Sequence, residues 1–189
     1  MGYLNNVTGY RDDLLANRAI VKHGNFALLT PDGLVKNIIP GFENFDATIL
    51  STPKLGASFV DYLVTLHQNG GNQQGFGGEG IETFLYVISG NITAKAEGKT
   101  FALSEGGYLY CPPGSLMTFV NAQAEDSQIF LYKRRYIPVE GHAPWLVSGN
   151  ASELEHIHYE GMDDVILLDF LPKELGFDMN MHILSFAPG

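Results

Sequence analysis

The sequence predicts an all-β protein built around a small barrel, and three observations carry that prediction. From Asn25 to Tyr136 apolar residues recur at every second position, in runs such as FVDYLVTLHQN and ETFLYVIS. Each run is short and is closed by Gly, Pro, Asn or Asp. The spacing of an amphipathic helix is absent from the same span. Short strands at regular intervals with such turns are the pattern of sandwiches and barrels.

The bulk properties bound what such a barrel does. A chain of 189 residues buries roughly 70% of its unfolded surface, enough for a sizeable core. Its hydrophobic content of 45%, with 17% charged residues, is that of a folded globular protein. A formal charge of −10 repels phosphate backbones and anionic lipid, so neither nucleic acid nor membrane is an expected partner. Cys111 is the only cysteine, which rules out an internal disulfide and a cysteine metal cluster and fits a cytoplasmic setting. No run of about 18 apolar residues is present.

Taken in order, residues 1–24 are polar and mixed and read as an arm, with a short helical turn near Asp12–Arg18. Residues 25–136 form the barrel. Its first strands are NFALLT, LVKNII and DATILS, separated by Pro31-Asp32-Gly33 and Pro40-Gly41. FVDYLVTLHQN follows, and the glycines from Gly70 to Gly80 then argue for an irregular loop. ETFLYVIS and ITAKAEG read as two strands joined by a tight turn at Gly90-Asn91. TFALSE, YLYC, SLMTFVN and QIFLYKRRY complete the barrel. Residues 137–176 read as a connector. Residues 177–189 line up with FVDYLVTLHQNGG, Phe177 on Phe59 and Leu184 on Leu66, as if a second barrel were opening.

Two spacings carry the functional reading. Between Gly106 and Asn121 the stretch GGYLYCPPGSLMTFVN places Gly106, Pro112, Gly114 and Asn121 as in the second signature of the cupin β-barrels. Gly71 and Gly90 stand at the ends of the first signature. The chain therefore resembles a cupin, a jelly-roll barrel also described as a double-stranded β-helix. At the positions where such barrels hold their metal ligands, this sequence has Gly77, Glu79, Thr83 and Met117. A divalent ion needs at least three competent donors, and only the Glu79 carboxylate qualifies. Met117 and Thr83 read as barrel filling, and no metal, cofactor or catalytic residue is assigned.

The remaining candidates weigh less. Glu82 neighbours Thr83, so it points to the opposite face, toward solvent or an adjoining segment. His156, His158 and Glu160 alternate in EHIHYE, and one face of an extended strand would gather them for zinc or manganese. No cupin glycine follows at the required distance, which favours an exposed connector face. Lys133, Arg134 and Arg135 also alternate and make no single anion pocket. His23, His67, His142 and His182 are scattered; Ser104, Ser115 and Ser185 lack an elbow motif; Cys111 lacks a basic neighbour.

Longer stretches sharpen the resemblance. NRAIVKHGNFALLTPDGLVKNIIPGFENFDATIL, FVDYLVTLHQNGGNQQGFGGEGIETFLYVISG, CPPGSLMTFVNA and ILLDFLPKELGFDMNMHILSFAPG resemble the (S)-ureidoglycine aminohydrolase family of purine and allantoin catabolism. That resemblance implies a two-barrel, homo-oligomeric enzyme that hydrolyses ureidoglycine to ureidoglycolate and ammonia. It also implies a manganese ion, held in the second barrel by a Glu, two His and a Gln. The chain ends at Gly189, before that metal loop is due, so the expectation is an N-terminal portion without activity of its own. The alternative is a metal-free cupin module for binding or oligomerisation.

Overall fold

The computed structural model describes residues 19–188. The expected helical turn at Asp12–Arg18, with most of the N-terminal arm, lies outside the described residues.

β1 (Ile20–Lys22) and β2 (Phe26–Leu28) pair with each other in a small separate sheet. The run LVKNII makes only a bridge, Asn37 to Ala47, onto β3 (Phe42–Ser51). β3 lies along β4 (Phe59–Gly77), which is the longest strand. Then come β5 (Ile81–Ser89), β6 (Asn91–Ala96), β7 (Lys99–Ser104), β8 (Gly107–Cys111), β9 (Leu116–Val120) and β10 (Ser127–Arg135). β11 (Val147–Asn150) adds to β8, giving a nine-stranded sheet in the order β11-β8-β5-β10-β4-β9-β6-β7, with β3 on β4. The sheet curls into a nearly closed cupin barrel.

Alternation along the strands decides what lies inside. Val64 and Leu66 of β4, Leu85 and Val87 of β5, Leu109 of β8, Phe119 of β9, and Ile129 and Leu131 of β10 are all buried in one core. Each such side chain contributes about 1.5–3 kcal/mol when removed from water, so this core dominates the stability.

The glycines after Asn69 do not make the expected loop. β4 continues through them to Gly77 and pairs with β9, Gly71 opposite Val120 and Phe76 opposite Met117. Glycine here meets a tertiary demand: a Cβ on Gly71 would lie 2.1 Å from the Phe119 carbonyl oxygen. A bulge between Asn72 and Phe76, with Gly75 at φ +108°, bends the strand into the barrel wall.

The expected tight turn at Gly90-Asn91 joins strands that do not pair. β5 lies between β8 and β10, whereas β6 lies between β9 and β7, so the chain crosses the barrel at Gly90. The hairpin is instead β6–β7, closed by Glu97 (φ 49°) and Gly98 (φ 72°), the positive pair that suits the twist of two strands.

The span expected as a connector holds regular structure. Besides β11 it supplies β12 (Ile157–His158) and β13 (Val165–Asp169). β14 (His182–Phe186) pairs with β13, Leu184 opposite Leu167. The C-terminal strand finds its partner in the apolar run VILLD. The chain between β13 and β14 covers the outer face of the barrel. Phe170, Leu171 and Met179 pack there on Phe84, Tyr108, Tyr110 and Tyr132, forming a second core. Phe170 stands edge-on to Phe84 and Tyr108, with ring centroids 5.7 and 4.8 Å away.

Candidate functional site

Two clusters of polar side chains sit on the two faces of the same strands. One is at the mouth of the barrel; the other is sealed beneath the outer covering segment.

At the mouth, Thr83 and Met117 are fully buried, in agreement with their reading as filling. Gly77 has φ +110°, and a Cβ there would lie 2.9 Å from the Ser115 carbonyl oxygen and 3.1 Å from Thr83 Cγ2. Glu79 is exposed in the turn between β4 and β5. The four positions therefore bring together a hydroxyl and a thioether, and the one carboxylate faces water. Lys133 of β10 stands opposite Thr83 in register and shares its inward face. Its ammonium lies 5.3 Å from the centre of the Phe76 ring and 5.7 Å from that of Tyr62. Burial pulls the Lys133 pKa down from the ordinary lysine range. Cys111 stands opposite Thr83 on the other side, and burial pushes its thiol up to about 12, so it carries no reactive thiolate.

On the outer face the alternation turns Glu82 and Arg134 away from the barrel interior, and the register sets them opposite each other. Of the two settings expected for Glu82, the structure gives the adjoining segment. Glu82 is fully buried beneath the chain around Asp178. Tyr110 donates a hydrogen bond of 2.8 Å to Glu82 Oε2. Arg134 Nε lies 3.5 Å from Glu82 Oε1, a charge contact in which neither atom has an aligned hydrogen bond. The same guanidinium reaches Asp178, with Nη2 3.4 Å from Oδ2 and Nη1 donating to the carbonyl oxygen at 3.2 Å. Asp178 Oδ2 also accepts from the Ile137 amide at 2.7 Å. Burial pushes Glu82 up to about 8, and the neighbouring Asp178 carboxylate adds to the rise, against the pull of Tyr110 and Arg134.

The trio in EHIHYE is not one strand face. Only His158 lies in β12; Glu160 follows in a turn at φ 50°, and all three side chains are exposed. His158 Nδ1 lies 3.2 Å from the Met162 carbonyl oxygen. Among the described residues no three His, Cys, Asp or Glu side chains are placed to share a metal ion. The basic run divides as its alternation requires, Lys133 inward and Arg134 outward. Glu82 with Asp178 was the pairing that sequence reasoning missed, since nothing local links residues from β5 and the covering segment.

Residues 55–136 match the family model of the EutQ-like cupin domain. Over all 189 residues the chain is 97% identical to the (S)-ureidoglycine aminohydrolase of Escherichia coli K12, spanning 72% of that protein's length. The chain belongs to the (S)-ureidoglycine aminohydrolase family. An Arabidopsis thaliana (S)-ureidoglycine aminohydrolase is 26% identical over 173 residues, which are 91% of this chain and 56% of that protein. The crystal structure of protein Ylba from E. coli superposes with a TM-score of 0.86 at 93% identity, over 95% of this chain and 71% of the other. The aminohydrolase family therefore sets the frame in which the altered mouth of this barrel is read.

Proposed function

We propose that this barrel is the scaffold of a ureidoglycine aminohydrolase, an enzyme that hydrolyses a C–N bond of ureidoglycine to release ammonia, and that it does not itself carry the reaction. The observation that supports this reading is the ligand set at the mouth, where Gly77, Thr83 and Met117 replace ion-binding side chains and Glu79 faces water. Manganese is the metal that the family resemblance implies. These residues do not fit it: a thioether and a hydroxyl are poor donors for a hard divalent cation, and the Lys133 ammonium on the same inward face repels one. No step of the reaction is assigned to side chains of this barrel.

A small-molecule substrate, a homo-oligomeric assembly and a cytoplasmic setting belong to the same reading. The formal charge of −10 supports a partner list without nucleic acid. The test is ammonia release from ureidoglycine by the purified chain with manganese supplied, together with its metal content after gel filtration. No release above the buffer blank and no retained manganese are the expected results. Manganese-dependent turnover, or one tightly held ion per chain, would overturn the proposal.

A further inference from the structure

We propose that Glu82 and Asp178 close a proton-operated latch on the outer face of the barrel: Glu82 stands there as a neutral acid donating its proton to the Asp178 carboxylate, and loss of that proton frees the covering segment, residues 170–181. The latch is independent of the aminohydrolase reading above.

The first support is the hydrogen-bond pattern, in which each carboxyl group has one answered oxygen and one open one. Glu82 Oε2 accepts from Tyr110, and Asp178 Oδ2 accepts from the Ile137 amide and faces Arg134 Nη2. Glu82 Oε1 and Asp178 Oδ1 are buried without a hydrogen-bond partner. The two side chains are within hydrogen-bonding reach of each other. Two carboxylates cannot form such a bond, whereas an acid and a carboxylate can. A proton on Glu82 Oε1, directed at Asp178 Oδ1, answers both open oxygens at once.

Charge gives the second support. The groups facing Glu82 are Tyr110 from β8, Tyr132 and Arg134 from β10, Tyr136 just beyond β10, and Asp178 from the covering segment. Arg134 is the one cation among them, and its geometry favours Asp178. Its Nη1 and Nη2 both reach Asp178, whereas Nε stands 3.5 Å from Glu82 Oε1 without an aligned hydrogen bond. Arg134 and Asp178 cancel, which leaves Glu82 out of water with no counter-ion of its own. A carboxyl group so placed keeps its proton, and its pKa of about 8 reflects burial first and the Asp178 carboxylate second.

The position of Asp178 turns this proton into a latch. Phe177, beside it, meets the rings of Tyr110 and Trp145 at centroid distances of 5.3 and 4.7 Å, and Tyr136 donates to the Gly176 carbonyl oxygen at 3.0 Å. When Glu82 ionises, its bond to Asp178 is lost and two like charges face each other away from water. Lifting the segment hydrates both. The closed form holds a proton that the open form releases, so opening increases about tenfold per pH unit up to about pH 8 and is level above it.

The experiment follows amide exchange of Ile137, whose N–H is held by Asp178, from pH 5.5 to pH 8 by NMR on the whole chain. Hydroxide catalysis alone raises an exchange rate about tenfold per pH unit, and the latch adds a second factor of about ten. Amides of β10 are expected to exchange at least about tenfold more slowly throughout, because they open only with the barrel. Glu82→Gln keeps a donor for Asp178 and an acceptor for Tyr110, and it is expected to remove the second factor. Trp145, the only tryptophan, reports the same opening: its quenching by acrylamide is expected to rise from pH 6 to pH 9 in the parent and to stay level in Glu82→Gln. Asp178→Asn leaves Arg134 to Glu82 and is expected to lower the Glu82 midpoint, read from its 13C-labelled carboxyl group, by about one unit or more. An Ile137 amide that exchanges only as slowly as β10, a single pH factor in the parent, or a parent Glu82 midpoint in the ordinary carboxylate range would overturn the proposal. If Glu82→Gln does not fold, the parent pH factor and the Asp178→Asn midpoint decide it.

Discussion

Arg134 ties the barrel wall to the segment that covers it, with its guanidinium 3.4 Å from the Asp178 carboxylate and 3.5 Å from that of Glu82. The side chains of Glu82 and Asp178 are 0% and 11% exposed, so the cation holds two carboxylates out of water. Removing one partner of a buried ion pair costs about 3–5 kcal/mol, because the charge left behind is unanswered. Arg134→Met is expected to lose stability on that scale in urea unfolding followed by circular dichroism. At pH 9, where Glu82 is ionised, adding Glu82→Gln to it should restore part of the loss, since the double variant then buries one charge fewer. A single variant within about 0.5 kcal/mol of the parent would show that the contact contributes little.

Glu82 makes stability depend on pH. Its folded pKa of about 8 lies above the ordinary 4.5, so between those values the folded chain holds a proton that the unfolded chain has released. Stability therefore falls as pH rises through that window, by a few kcal/mol in total, and levels off above about pH 8. His67, whose pKa is raised chiefly by its hydrogen bond to Asp126, adds a weaker decline of the same sign. Urea midpoints measured from pH 5 to pH 9 should fall steadily for the parent chain. Glu82→Gln keeps an acceptor for Tyr110 and should leave only the shallow part of that decline. Parallel profiles for the two proteins would mean that Glu82 is ionised throughout.

Backbone packing gives a sharper test at Gly71. A Cβ there would meet the Phe119 carbonyl oxygen at 2.1 Å, and backbone has no rotamer by which to move aside. Gly71→Ala must part β4 from β9, at a cost of about 3 kcal/mol or more, with loss of hydrogen-exchange protection of the Asn121 amide, which donates to the Gly70 carbonyl oxygen. Gly98→Ala is the matched control. That site has open space and φ +72°, so only the left-handed backbone is penalised, by about 1–2 kcal/mol. Similar costs at the two sites would contradict this account.

The same glycine explains what sequence reasoning could read and what it could not. Alternation placed Val64, Leu66, Leu85 and Val87 inside the barrel because a strand with one buried face writes its period into the sequence. It also separated Lys133 from Arg134 and Glu82 from Thr83. The span from Gly70 to Gly77 read as a loop because glycine has the same local signature whether it frees a turn or admits a neighbouring strand. Gly90 read as a hairpin because strand length and turn residues do not reveal which strand is paired. The Glu82–Asp178 pairing depends on register and on a covering segment far along the chain, and neither has a local signature. The altered cupin positions were legible since they sit at fixed distances from turn glycines.

Phe170 carries the contact between the covering segment and the barrel, and its removal tests how strongly the two are joined. Its ring is 5% exposed and meets Phe84, Tyr86 and Tyr108 edge-on. Phe170→Ala should cost about 3–5 kcal/mol, combining lost transfer energy with the cavity left among rings that cannot collapse inward from a rigid sheet. The loss should not be uniform. Amides of β4 and β10, which are set by the inner core, should keep their exchange protection at low denaturant, whereas those of β13 and β14 should lose it first. Phe170→Leu, which refills most of the volume, should recover more than half of the stability. If β13 and β14 instead lose protection together with β10 in Phe170→Ala, the covering sheet and the barrel form one cooperative unit, and Phe170 is part of a single core extending through the barrel wall.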